Sequence, residues 1–165
     1  MAGGPLHRFL SDDHARLDAL LRQAVADPHA VDLAAYRAFR GGLLRHIGME
    51  ERLLFRDARR RRGGEPLPLT DQLHADHAAL AALLMPPPTH ELLAAVRAIL
   101  DEHNQLEEGP GGPYEVCDLL PADDARELLA ALEATPEVRQ GANWDDPLVR
   151  EQIDRLLAAR RAKGP

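Results

Sequence analysis

His46-Ile47-Gly48-Met49-Glu50-Glu51 returns later in the chain as His103-Asn104-Gln105-Leu106-Glu107-Glu108. Each stretch reads His-x-x-x-Glu-Glu. On an α-helix, residues four apart stand one turn above each other on one face, so each imidazole and its first carboxylate can reach a common ion. Glu51 and Glu108, five residues beyond their histidines, are expected to point away from that face in a regular helix. A single His-x-x-x-Glu arises easily by chance in a chain with 8 His and 27 acidic residues. Two copies, each inside an apolar helical pattern, indicate a duplication.

The repeat extends upstream. Asp13-His14-Ala15-Arg16-Leu17-Asp18-Ala19-Leu20-Leu21 is echoed by Asp76-His77-Ala78-Ala79-Leu80-Ala81-Ala82-Leu83-Leu84, with seven of nine positions identical. Half one therefore carries His14, then His46 and Glu50; half two carries His77, then His103 and Glu107.

Apolar residues recur at the helical period around all six. A first helix is expected from about Leu6 or Ser11 to Ala26, ended by Asp27-Pro28-His29. A second begins near Asp32, a natural N-cap, and finishes in Arg59-Arg60-Arg61-Arg62-Gly63-Gly64. Cations in a last turn followed by glycine are ordinary helix termination, and this is preferred to a nucleic-acid patch. A third helix runs from Thr70 or Asp71 to about Met85, up to Pro86-Pro87-Pro88. A fourth follows the Thr89 cap and ends before Gly109-Pro110-Gly111-Gly112-Pro113. Residues 1–112 thus form one bundle, and 113–165 a helical extension packing on it or on a second subunit in a homodimer. Asp124–Glu133 reads as a helix, Asp146-Pro147 starts another, and Trp144, Leu148, Ile153 and Leu156 offer it an apolar edge. No chemistry is evident in this tail.

The composition is rich in Ala and Leu and poor in aromatic residues, which favours an all-α protein. A net charge of −7 argues against nucleic acid or an anionic membrane as partner. The single Cys117 excludes an internal disulfide and a cysteine-based zinc site. No long apolar run suggests a membrane span, and a soluble cytoplasmic protein is expected.

Four helices each deliver one inward histidine, and two also deliver an inward glutamate. Burying a carboxylate on an apolar stripe is expensive unless it is paired or bound to metal. Imidazoles with carboxylates able to bridge suit a pair of irons or manganeses in a bundle core. Zinc accepts His and Glu but commonly takes four ligands at one ion, and two equivalent halves fit two ions better. His74, one turn before His77, is a candidate additional ligand.

These motifs resemble the hemerythrin-like (HHE cation-binding) family over roughly Leu6 to Glu108. The resemblance implies an antiparallel up-down-up-down four-helix bundle, here with additional C-terminal helices, around a non-haem di-iron centre with an oxo or hydroxo bridge. The family motif falls on His14, His46 with Glu50, His77 and His103. Oxygen-carrying members have His-x-x-x-His on the third helix and an Asp five residues after the last His. Here Leu73 stands four before His77, and Glu107 follows His103 at four. That pattern resembles the branch with four His and two bridging Glu, to which iron-centre repair proteins belong. It implies metal ligands His14, His46, Glu50, His77, His103 and Glu107 for two irons, with manganese or zinc as substitutes. Small ligands (O2, H2O2 or NO) and a di-iron oxidoreductase acting on peroxide or NO follow; a non-enzymatic iron sensor or donor is the alternative.

Overall fold

A computed structural model describes residues 3–162. All regular structure among them is helical. Helix α1 spans Pro5–Ala24 and α2 spans Leu33–Met49. The same helix continues through a π-helical stretch, Glu50–Ala58, into a last turn, α3 (Arg59–Arg61). Then come α4 (Thr70–Leu83), α5 (His90–Glu108), α6 (Pro113–Asp118), α7 (Ala122–Glu133) and α8 (Pro147–Ala162). Four long rods, α1, α2 with its continuation, α4 and α5, make the antiparallel bundle.

The helix starts follow from capping chemistry. Asp32 accepts from the backbone N–H of Ala34 and Ala35, and Thr89 from that of Leu92, so each satisfies donors that a first turn leaves free. Pro5, Pro113 and Pro147 sit in first turns, where their missing N–H costs nothing. After Arg61 the chain leaves through Gly63 and Gly64, both at positive φ. Arg61 itself turns back to Asp57 and reaches Asp124 and Glu127, tying α7 to the π-helical segment.

Burial divides the bundle into two apolar clusters. One gathers Leu17, Leu21, Phe39, Leu43, Leu80, Leu83, Val96 and Ile99. The other gathers Leu6, Leu10, Met49, Leu54, Leu73, Tyr114, Cys117, Leu128 and Leu132. His14 falls between Leu10 and Leu17, His46 between Leu43 and Met49, and His77 between Leu73 and Leu80. A polar layer is therefore clamped between two apolar ones. Apolar burial contributes about 25 cal/mol per Å2, so the two outer layers work against the cost of desolvating what lies between them.

The tail packs on its own bundle. Helix α8 lies along α4, and α6 and α7 lie against α1 and the π-helical segment. Its inward edge is Val149 and Ile153 with Leu156 and Leu157. Leu148 and Trp144, expected on that edge, face solvent at 72% and 63% exposure. Val149, the next residue after Leu148, takes the inward place with Ile153, while Asp146 caps the helix start, its side chain accepting the N–H of Leu148 and its carbonyl that of Val149. No helix among the described residues is long and apolar enough to cross a membrane.

Candidate metal centre

All six repeated residues are buried, none more than 6% exposed. Their ligating atoms form two groups, His14, His46, Glu50, Glu107 and Glu50, His77, His103, Glu107, each with its atoms within 4.8 Å of one another. The two carboxylates belong to both groups. Glu50 turns Oε1 toward His46 Nε2 (3.3 Å) and Oε2 toward His77 Nε2 (3.1 Å). Glu107 turns Oε2 toward His14 Nε2 (3.4 Å) and Oε1 toward His103 Nε2 (3.1 Å). Each carboxylate thus offers one oxygen to each group, the disposition of a bridge.

The outer nitrogens explain how the imidazoles are aimed. His14 Nδ1 meets Glu108 at 2.6 Å, His46 Nδ1 meets Asp13 at 2.8 Å, His77 Nδ1 meets Glu51 at 2.7 Å, and His103 Nδ1 meets Asp76 at 3.0 Å. A carboxylate at Nδ1 holds the proton there, orients the ring and leaves the Nε2 lone pair facing inward. Asp76 is in turn held by Arg160 of α8 at 2.7 Å. These four carboxylates occupy matching places in the two repeats, Asp before the first His and the second Glu of each His-x-x-x-Glu-Glu.

Glu51 and Glu108 therefore do not point away from the centre. Each approaches from outside and holds a histidine of the other half. For Glu51 the cause is local: it lies in the π-helical segment, whose wider turn rotates each residue through a smaller angle and keeps it nearer the histidine face. Glu108 needs no distortion, because its partner His14 stands on the neighbouring α1. His74, a candidate ligand in the sequence, joins neither group. It is 45% exposed on the outer side of α4 and hydrogen-bonds Glu51 at 2.7 Å. Leu73 is fully buried in the apolar cluster, so no imidazole occupies that turn.

A residue that the sequence reading passed over completes the layer. Tyr114, on the short α6, is fully buried and places its hydroxyl 2.6 Å from Glu50 Oε1, 3.0 Å from His14 Nε2, 3.1 Å from Glu107 Oε2 and 3.2 Å from His46 Nε2. Nothing in a six-residue helix after a Gly-Pro-rich stretch carries a periodicity that could have pointed to it.

The electrostatics fit a cation. Glu50 Oε2 and Glu107 Oε1 are buried with no hydrogen-bond partner, and His77 Nε2 faces His103 Nε2 at 3.1 Å. Two orphaned carboxylate oxygens beside two convergent imidazoles form a set that positive charge would satisfy. Without a metal, protons serve that purpose. Burial pushes His46 down, but Glu50 and Asp13 outweigh it and hold the imidazole at about 9. The same opposition, with Glu50 and Glu51 on the winning side, holds His77 at about 9; Glu107 and Asp76 hold His103 at about 10. Burial would raise Glu50, yet His46 and His77 bring its carboxyl well below the usual range.

A cavity of about 240 Å3 opens onto this layer, reaching His14, His46, Glu50 and His103. Its walls are largely Leu17, Leu21, Leu43, Ile47, Leu80 and Leu100, with the Asp18–Arg97 ion pair (2.9 Å) among its lining residues.

The family model of the hemerythrin HHE cation-binding domain matches residues 6–110. The chain belongs to that family. The match covers α1 through α5, the rods that supply all six repeated residues, and stops before Tyr114. Neither the curated proteins nor the solved structures provide a match. Membership and geometry agree on a metal-binding protein: the hemerythrin domain here is a helical bundle whose buried His and Glu clusters are able to hold metal.

Proposed function

We propose that His14, His46, Glu50, His77, His103 and Glu107 hold two iron ions bridged by the two carboxylates, and that the protein reacts with a small oxidant or NO instead of carrying oxygen reversibly. The observation that carries this reading is the split of Glu50 and Glu107, one oxygen of each turned to either group. A single zinc site leaves half of that set without a purpose. When bound, such an iron pair supplies an electron source and an open coordination position for a small ligand.

The chain's own contribution is positional. Carboxylates at each Nδ1 fix the imidazoles and raise their basicity toward the metal. The Leu-lined cavity admits a diatomic or peroxide and keeps bulk water away from the layer. With Leu73 where an oxygen carrier has its fifth histidine, the group of His77 and His103 keeps four protein donors and room for a reacting ligand.

The test begins with iron content, expected at two per chain from the two groups. The protein is then reduced without oxygen, exposed to oxygen or peroxide, and returned to anaerobic conditions. Irreversible oxidation with peroxide or NO consumed supports the reading. A stable oxygenated form that reverts to the reduced protein makes it a carrier. Iron binding with redox-dependent structural change or iron transfer, and no turnover, makes it a sensor or donor.

A further inference from the structure

The two halves repeat six inward residues, yet the two donor groups are unequal. His14, His46, Glu50 and Glu107 surround the hydroxyl of Tyr114; His77, His103 and the other two carboxylate oxygens surround no side-chain counterpart among the described residues. We propose that Tyr114 is a fifth protein ligand, bound as phenolate through Oη to the ion held by His14, His46, Glu50 and Glu107. The inference rests on the di-iron reading above and makes its two positions chemically distinct.

The spacing of the donors carries it. Ions of this class bind N and O atoms at about 2.0–2.2 Å, so neighbouring ligands around one ion stand about 3 Å apart. Tyr114 Oη lies at 2.6–3.2 Å from all four atoms. It occupies the place of a ligand adjacent to each, and a cation held among those four is brought against it. As a hydroxyl it has one proton to donate, and two carboxylate oxygens, Glu50 Oε1 at 2.6 Å and Glu107 Oε2 at 3.1 Å, compete for it.

The chain also holds α6 in place for this purpose. Gly111 is at positive φ and Gly112 packs so closely on the end of α5 that a Cβ would meet the carbonyl oxygens of Leu106, Glu107 and Gly109 at under 3.0 Å. The reversal brings Pro113 and Tyr114 back over the open side of the layer. Asp118, at the end of α6, accepts the N–H groups of Leu6 (3.0 Å) and His7 (3.2 Å) and locks α6 onto the start of α1. The His7 ring meets that of Tyr114 edge-on at 5.8 Å.

On coordination the phenol proton is released to solvent, as with any ligand that binds in its deprotonated form. The anionic donor would favour the ferric state of that ion and would give it one protein donor more than the group of His77 and His103 supplies.

A ferric ion bound to phenolate has a visible charge-transfer band and resonance-enhanced phenolate ring vibrations. The iron-loaded protein should show both, and the vibrations should shift in protein made with ring-deuterated tyrosine. The sequence holds 2 Tyr, so Tyr114→Phe should abolish the band while Tyr36→Phe keeps it. Gly112→Ala, which displaces α6, should weaken it. Should Tyr114→Phe fail to fold or lose iron, the isotope shift in the wild-type protein decides alone. Two irons per chain with no phenolate vibrations, or a band that survives Tyr114→Phe, overturns the inference and leaves the di-iron reading standing. A protein that takes up no iron overturns both.

Discussion

Glu51 hydrogen-bonds His77 Nδ1 at 2.7 Å, and the corresponding Glu108 hydrogen-bonds His14 Nδ1 at 2.6 Å. Each half of the duplicated chain thus aims one histidine of the other, while Asp13 and Asp76 aim the second histidine of their own half. The exchange binds the halves into one site: neither could orient its imidazoles alone.

The exchange separates two classes of carboxylate by experiment. Glu50→Ala or Glu107→Ala removes a shared oxygen pair and should reduce the metal content below one ion per chain. Glu51→Ala or Glu108→Ala leaves every inward atom in place and should weaken metal binding by about 10–100-fold, the usual cost of losing a carboxylate behind a ligand histidine. Chelator competition on each variant measures it. Glu108→Ala emptying the site while Glu107→Ala keeps it would reverse the assignment.

The imidazole environment gives the metal-free protein a defined pH response. His46 and His77 at about 9 and His103 at about 10 lie above the ordinary 6.5, so their contribution to stability is complete below pH 6.5 and disappears as pH rises through 9 to 10. Glu50 lies below its ordinary 4.5, so its contribution is present above 4.5 and is lost as pH falls through its depressed value. The chelated protein should therefore melt highest between about pH 4.5 and 6.5 and lower toward pH 10. Metal loading should reverse the acid side, since protons compete with the ion for imidazole. A melting temperature that does not change from pH 6 to 10 in the chelated protein would refute this.

Arg160 ties α8 to the centre through Asp76, which is 1% exposed and also holds His103. Arg160→Ala leaves a buried carboxylate short of a partner and should cost about 1–3 kcal/mol, read from denaturant unfolding. It should also weaken metal binding, because Asp76 is then free to turn from His103. Unchanged stability with weakened metal binding would mean that Asp76 is repaired by another group.

The cavity predicts a kinetic effect. Leu100 is half-buried on its wall, and Leu100→Phe should slow the binding of azide or peroxide severalfold while iron content stays the same. Stopped-flow absorption measures the rate. Equal rates in the variant and the wild type would place the access route elsewhere.

The spacing of the sequence alone determined the four long helices, their caps at Asp32 and Thr89, and the inward placement of His14, His46, Glu50, His77, His103 and Glu107. Each of these depends on position within one helix, and a helix repeats every 3.6 residues whatever surrounds it. The hemerythrin family membership was legible for the same reason, because its motif is written in that spacing. Which side chains meet between helices depends on rotation and register across the bundle, and no local pattern encodes those. That is why the pairing of Glu51 with His77, the outward turn of His74 and the exposure of Leu148 had to come from the packing. Tyr114 is the extreme case. It stands on a helix too short to show a period, and only the tight reversal at Gly111 and Gly112, with Asp118 anchored to α1, carries its hydroxyl into the layer of histidines.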